Sequence, residues 1–114
     1  MTESTILVDD EADSRIGLAQ FLQEEGFHVL TAANGHQALH LLEQLGVDLL
    51  LIDVMMPNLT GPQAVEVMRT RRIARRTAIV YMSAHGNIET HGVVMLRKPF
   101  DLDDLHAIVE SRLR

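Results

Sequence analysis

Five short apolar runs punctuate the chain: Thr5–Val8 (TILV), His28–Ala32 (HVLTA), Leu49–Ile52 (LLLI), Ala78–Met82 (AIVYM) and Val93–Leu96 (VVML). The first, third and last are continuous rather than alternating, the pattern of parallel strands covered on both faces. Between the runs, apolar positions recur at helical spacing. Leu18, Phe21 and Leu22 form one stripe. Ala38, Leu41, Leu42 and Leu45 form a second, closed by Gly46 as a helix stop. Ala64, Val67 and Met68 form a third, with Pro62 near a first-turn position where its missing N–H costs little. Leu102, Leu105 and Val109 form the last, opened by Asp101, Asp103 and Asp104, which suit the positive end of a helix. Strands alternating with helices predict an α/β domain with a doubly wound, five-stranded parallel sheet. No linker, repeat or low-complexity stretch interrupts it, so residues 1–114 read as a single domain.

One crossover breaks the rhythm. A strand ending at Met82 and another starting at Val93 leave only Ser83–Gly92 between them. Parallel strands usually need about a dozen residues or more to cross over. Gly86, Asn87 and Gly92 are also poor helix formers. The helix before the last strand is therefore expected to be truncated or absent.

Composition narrows the class. The chain has 114 residues, 46% hydrophobic and 23% charged, which suits one soluble globular domain. A net charge of −6 disfavours nucleic acid or an anionic membrane as a partner of the whole surface. No cysteine is present, which removes disulfide and thiolate chemistry and fits a reducing cytosol. No basic, apolar leader follows Met1 and no run is long enough for a membrane span, so a cytoplasmic location is expected.

Candidate chemistry emerges where the strands end. Ligands of open parallel sheets bind beyond the carboxyl ends of the strands. Asp9, Asp10 and Glu11 follow the first strand, Asp53 follows LLLI, Ser83 follows the fourth and Arg97-Lys98 the fifth. Taken singly, each of these is a cap, a turn former or ordinary punctuation. An aspartate at the end of four large aliphatics is costly to bury unless other charges reach it. Three acids, a hydroxyl and a lysine converging on one sheet edge point to a functional site centred on Asp53.

The pieces ILVDDE at 6–11, LLLIDVMMPNLTG at 49–61, MSA at 82–84 and KPF at 98–100 resemble the response-regulator receiver domain of two-component signalling. The resemblance covers essentially the whole chain, and the Asp-x-x-Met-Pro-x-x-x-Gly element with its upstream acid pair is its most specific part. It implies a flavodoxin-like sheet of order 2-1-3-4-5. It also implies that Asp53 accepts a phosphoryl group from a sensor histidine kinase, a phosphotransfer protein or a small phosphodonor. Neighbouring acids repel one another, and a divalent cation removes the conflict; an all-oxygen site suits Mg²⁺. By the same resemblance Asp10, Asp53 and the Met55 carbonyl would bind the ion directly and Asp9 through water. Lys98 would pair with phosphoryl oxygens, and Ser83 would hydrogen-bond them after transfer. The domain would be a signalling module rather than an enzyme.

Two features depart from that family. The fifteen-position step from Ser83 to Lys98 is shorter than usual, in agreement with the brief crossover. Three positions before the lysine, where an aromatic residue is usual, stands Met95. Both changes fall on the face through which such domains commonly pair or dock, so an unusual homodimer is an open expectation and the downstream target is unspecified. Outside the cleft, RTRRIARR at 69–76 is weighed as a nucleic-acid or acidic-partner patch but read as the solvated end of the third helix, where cations suit the dipole. His36 and His40 read as a surface pair, His85 as a loop residue near the cleft mouth, and Met55-Met56 as packing. Two other functions are weighed: a receiver-like interaction module whose output ignores phosphorylation, and a metal-dependent phosphohydrolase. The latter's haloacid-dehalogenase-like pattern wants an acid at Met55.

Overall fold

The computed structural model describes residues 3–84 and 89–113. Strands and helices alternate as far as β4, which β5 follows directly among the described residues: β1 (Ser4–Val8), α1 (Ala12–Glu24), β2 (His28–Ala32), α2 (Gly35–Gln44), β3 (Leu49–Asp53), α3 (Gly61–Arg71), β4 (Ala78–Ser83), β5 (Val94–Arg97) and α4 (Leu102–Leu113). All pairings are parallel and the sheet order is β2-β1-β3-β4-β5. This is the doubly wound arrangement that the strand–helix alternation implies.

The continuous run at β3 has a direct cause. Leu50 and Ile52 face α2 and α3, in a core with Ile6, Val8, Ala38, Leu42, Ala64 and Met68. Leu49 and Leu51 face α1 and α4, in a second core with Leu7, Leu22, Val80, Met82 and Leu105. Both faces of the strand are covered, so polar alternation would strand unpaired groups in the interior. Each of these four side chains is fully buried and contributes about 1.5–3 kcal/mol. The sheet centre is therefore a firm base for what stands at its rim.

The helical stripes need local correction. Leu45 is 44% exposed because α2 ends at Gln44 and the chain turns extended at Leu45; Leu39 takes the buried place. Leu102, in the first turn of α4, is likewise exposed, and the buried contacts come from Leu105 and Val109. Helix starts are well specified. Thr60 caps α3 in a reciprocal capping box with Gln63, with Pro62 in the first turn. Asn34 caps α2 through the Gln37 N–H.

Between β4 and β5, positions 84–93 carry no helix among the described residues. Gly86, Asn87 and His85, which enter the sequence expectations, lie outside them. The last helix of the chain, α4, follows β5 and packs on the α1 side.

Candidate functional site

The carboxyl edge of the sheet is built by backbone ties between neighbouring strand ends. The Asp9 N–H donates to Ala32 (3.2 Å), Val54 N–H to Met82 (2.8 Å) and Lys98 N–H to Ser83 (2.7 Å). Register sets Asp53 opposite Met82 and Ser83 opposite Arg97, so Lys98 enters immediately past the pairing. The chain thus returns to the same rim three times within a few residues of an acid.

There the Lys98 Nζ donates to Asp9 Oδ2 and to Asp53 Oδ2, each at 3.2 Å. Asp9 is fully buried and Asp53 nearly so, while Asp10 stands exposed beside them. Carboxylate oxygens of Asp9, Asp10 and Asp53 all lie within 4.8 Å of one another. Asp9 is held further by the Glu11 N–H on Oδ1 (3.0 Å) and by Arg15 Nη1 on its carbonyl (2.7 Å).

The electrostatics follow from burial against pairing. Burial holds the Asp53 carboxyl above the ordinary carboxylate range, and Asp9 pushes the same way. Lys98 and the Met55 N–H pull against this without cancelling it. Burial also works against the Lys98 charge, but Asp53 and Asp9 outweigh it and hold the amine above its usual range. One amine serves two buried acids with a third within reach, which leaves an excess of negative charge.

Each residue expected at the site is at this edge. Asp9, Asp10, Asp53 and Lys98 meet directly. Ser83 is fully buried at the end of β4, joined to Lys98 through the backbone. Met55 follows Asp53 with its backbone N–H on that carboxylate. Its side chain is 56% exposed, so the reading of Met55 as packing is corrected; Met56 alone is buried. The chain turns outward after Val54, and only every second side chain there can reach the core.

Two contributors were not read from the sequence. Arg15 reaches back to Asp9 from α1, a tertiary contact that no local pattern announces. Gly61 lies in the quoted motif, but its steric reason appears only in three dimensions: a Cβ there would sit 2.5 Å from the Asp53 carbonyl oxygen and 3.1 Å from Val54 Cα. Glycine lets the start of α3 press against the strand that carries the acid, where Gly61 N–H bonds the Val54 carbonyl (2.9 Å).

A parallel 2-1-3-4-5 sheet with acids and a lysine gathered at its carboxyl edge is the architecture of a phosphoacceptor signalling module. The chain belongs to the response regulator receiver domain family, whose model matches residues 5–110. It is 37% identical over 117 residues to the regulatory protein AtoC of Escherichia coli (strain K12), covering 96% of this chain and 25% of that protein. It is 30% identical over 120 residues to the sporulation initiation phosphotransferase F of Bacillus subtilis (strain 168), covering 99% of this chain and 95% of that one. The response regulator protein TrrA of Thermotoga maritima, solved in complex with Mg²⁺-BeF, matches with a TM-score of 0.88 at 27% identity over 98% of this chain and 100% of that one. The chain thus spans a quarter of one relative and nearly all of another. Among the described residues no helix is long and apolar enough to cross a membrane.

Proposed function

We propose that this domain is a single receiver unit, cytoplasmic, that takes a phosphoryl group on Asp53 from a sensor histidine kinase, a phosphotransfer protein or a small phosphodonor. The observation that carries the reading is the Lys98 amine bridging Asp9 and Asp53 beside a third, exposed acid. Such a cluster is poorly balanced by one amine, and its donors are all oxygen, which fits Mg²⁺ rather than a softer ion. Asp10, Asp53 and the Met55 carbonyl would hold that ion, with Asp9 acting through water. When bound, it would offset the charge of the acids and of the incoming phosphoryl oxygens.

In the transfer, an Asp53 carboxylate oxygen forms a bond to phosphorus as the bond to the donor's leaving atom breaks. The electron pair leaves with the donor, and because the reacting form of Asp53 is its carboxylate anion, the step needs no base. Lys98 turns its amine from the carboxylates to a phosphoryl oxygen. Ser83 donates its hydroxyl to another once the acyl phosphate exists. Positioning and charge compensation do nearly all of the work. Discharge by water would return Asp53 to its starting state, so the domain behaves as a carrier of the group and not as a catalyst acting on a separate substrate.

Incubation with acetyl phosphate and Mg²⁺, followed by intact-protein mass, tests this. The wild type should gain the mass of one phosphoryl group, lost again in mild base, and Asp53→Asn should gain none. Full labelling of Asp53→Asn would move the acceptor elsewhere. Beryllofluoride binding that changes no resonance beyond the cleft would favour the interaction-module reading over signalling.

A further inference from the structure

The end of the sheet opposite the acid cleft carries a basic trough. The C-terminus of α3 and the start of β4 enclose a cavity of about 360 Å³ lined by Arg69, Arg72, Arg75, Ile73 and Ile79. An adjoining cavity of about 280 Å³ shares Arg69, Thr77 and Ile79 and adds Val93 and Arg112. The two share part of a lining that mixes aliphatic side chains with guanidinium groups, in a size range that accommodates side-chain anchors.

Three observations say what it fits. First, helix cover of the sheet is incomplete here among the described residues. On this face α2 and α3 bury β1 and β3, but beyond α3 no helix among the described residues lies over β4 and β5. Tyr81 of β4 is buried on this face, while Ile79, Val93 and Met95 pack against the same core and stay partly exposed. A parallel sheet ordinarily has both faces covered. Second, most of the lining arginines have no ion-pair partner among the described residues. Arg71 pairs with Glu43 at 2.8 Å, whereas Arg69, Arg72, Arg75 and Arg112 make no ion pair among the described residues. Third, the dipole of α3 accounts for cations in its last turn, Arg69 and Arg71. The dipole of α4 accounts in the same way for Arg112 in its own last turn; what neither dipole requires is that the two helices, on opposite faces of the sheet, deliver Arg69 and Arg112 to one cavity.

We propose that this trough docks an acidic amphipathic helix of a partner protein, its apolar stripe on Ile79 and Val93 and its carboxylates against Arg69, Arg72, Arg75 and Arg112. Charge complementarity sets the choice of occupant. Nucleic acid fits less well, because no aromatic side chain lines the trough for base stacking and the chain as a whole carries −6. A second copy joined by two-fold symmetry would set these arginines against their own equivalents. The site is at the far end of the sheet from Asp53, so the inference goes beyond the phosphoacceptor reading.

The test uses the full chain in EDTA, unphosphorylated, so that it is independent of Asp53 chemistry. The probe is a synthetic helical peptide of about 15 residues with leucines at i, i+3 and i+7 flanked by glutamates; its control carries lysines in place of the glutamates. The glutamate peptide should shift the Ile79 and Val93 methyl resonances, and the lysine peptide should not. Arg72→Glu, a change at an exposed side chain, should weaken binding about tenfold or more, and moving from 0.05 to 0.5 M salt should weaken it several-fold. Ile79→Ser, checked for folding by its melting curve, should also lose binding while leaving the charges in place. The proposal is overturned if millimolar glutamate peptide leaves both methyls unmoved, or if the two peptides bind alike. A single-stranded oligonucleotide seated in the trough more tightly than the peptide overturns it for nucleic acid. A concentration-dependent dimer abolished by Arg72→Glu overturns it for self-association.

Discussion

Lys98→Met isolates what the amine does before any phosphoryl group arrives. Each Nζ–carboxylate contact is 3.2 Å long, and at an effective dielectric of about 20 such a contact is worth about 5 kcal/mol of attraction. Desolvation of the amine offsets much of that. A ceiling comes from proton linkage. Without the amine, the fold can always escape by protonating Asp53. At pH 7 that escape costs about 1.4 kcal/mol for each of roughly three pH units above the ordinary carboxylate value, or about 4 kcal/mol. The expected loss in EDTA is therefore about 2–4 kcal/mol, a fall in urea midpoint of about 1–2 M.

Mg²⁺ should reverse much of this loss. An ion at 100 times its dissociation constant stabilises the folded state by about 2.7 kcal/mol. Because no amine competes for the same oxygens, the variant should gain more from Mg²⁺ than the wild type does. The gap in EDTA should also shrink as pH falls, since protonated Asp53 no longer needs a cation. Urea melts of both proteins, with EDTA and with Mg²⁺, read all three effects. A Lys98→Met cost below about 0.5 kcal/mol in EDTA would mean that the carboxylates are not held by the amine. An equal Mg²⁺ gain in both proteins would mean that ion and amine do not share those oxygens.

Three shorter expectations follow from the same geometry. Asp53 has its folded pKa raised by burial, so the fold holds that proton more tightly than the unfolded chain and loses stability as pH rises through this window; Asp53→Asn should be the more stable protein at pH 7, with the advantage gone below the ordinary carboxylate range. Equal urea midpoints at pH 7 would contradict this. Gly61→Ala sets a methyl 2.5 Å from the Asp53 carbonyl and should cost about 1–3 kcal/mol with slower phosphoryl uptake; a wild-type melting point would show that the helix start is free to shift. Asp10→Ala should weaken Mg²⁺ binding at least tenfold by calorimetry while leaving the metal-free melt nearly unchanged, because Asp10 is exposed; unchanged affinity would remove Asp10 from the ion's ligands.

Much of this was legible because strands and site share one cause. A run such as LLLI is readable when both faces of the strand are buried, and its abrupt end at Asp53 marks the rim where side chains become available for chemistry. Helix phases were less readable. Leu45 and Leu102 fit a period of 3.6 but fall at helix ends, where the axis has already turned away from the core. Contacts made across elements were not readable at all: Arg15 on the Asp9 carbonyl and the empty space required at Gly61 depend on how α1 and α3 approach the sheet. The stretch 69–76 reads as the end of the third helix, but α3 stops at Arg71, so its dipole explains Arg69 and Arg71 and not Arg72, Arg75 or Arg76, which lie beyond it. Only the three-dimensional packing shows Arg69, Arg72 and Arg75 lining one cavity and Arg112 of α4 joining Arg69 in the next.

The short crossover leaves the cleft intact for a topological reason. Lys98 is placed by the β5–β4 register and by its own N–H on Ser83, and Asp9 by β1 and by Arg15. None of these ties uses positions 84–93. The short connection between β4 and β5 goes with a sheet face near Ile79 and Val93 that no helix among the described residues covers, and it moves no acid. Chemistry at one end of the strands and recognition at the other are therefore free to diverge within one fold. A domain that keeps Asp53 and Lys98 in contact while presenting arginines at the far end of the strands can alter the surface it offers to partners and leave its reacting groups in place.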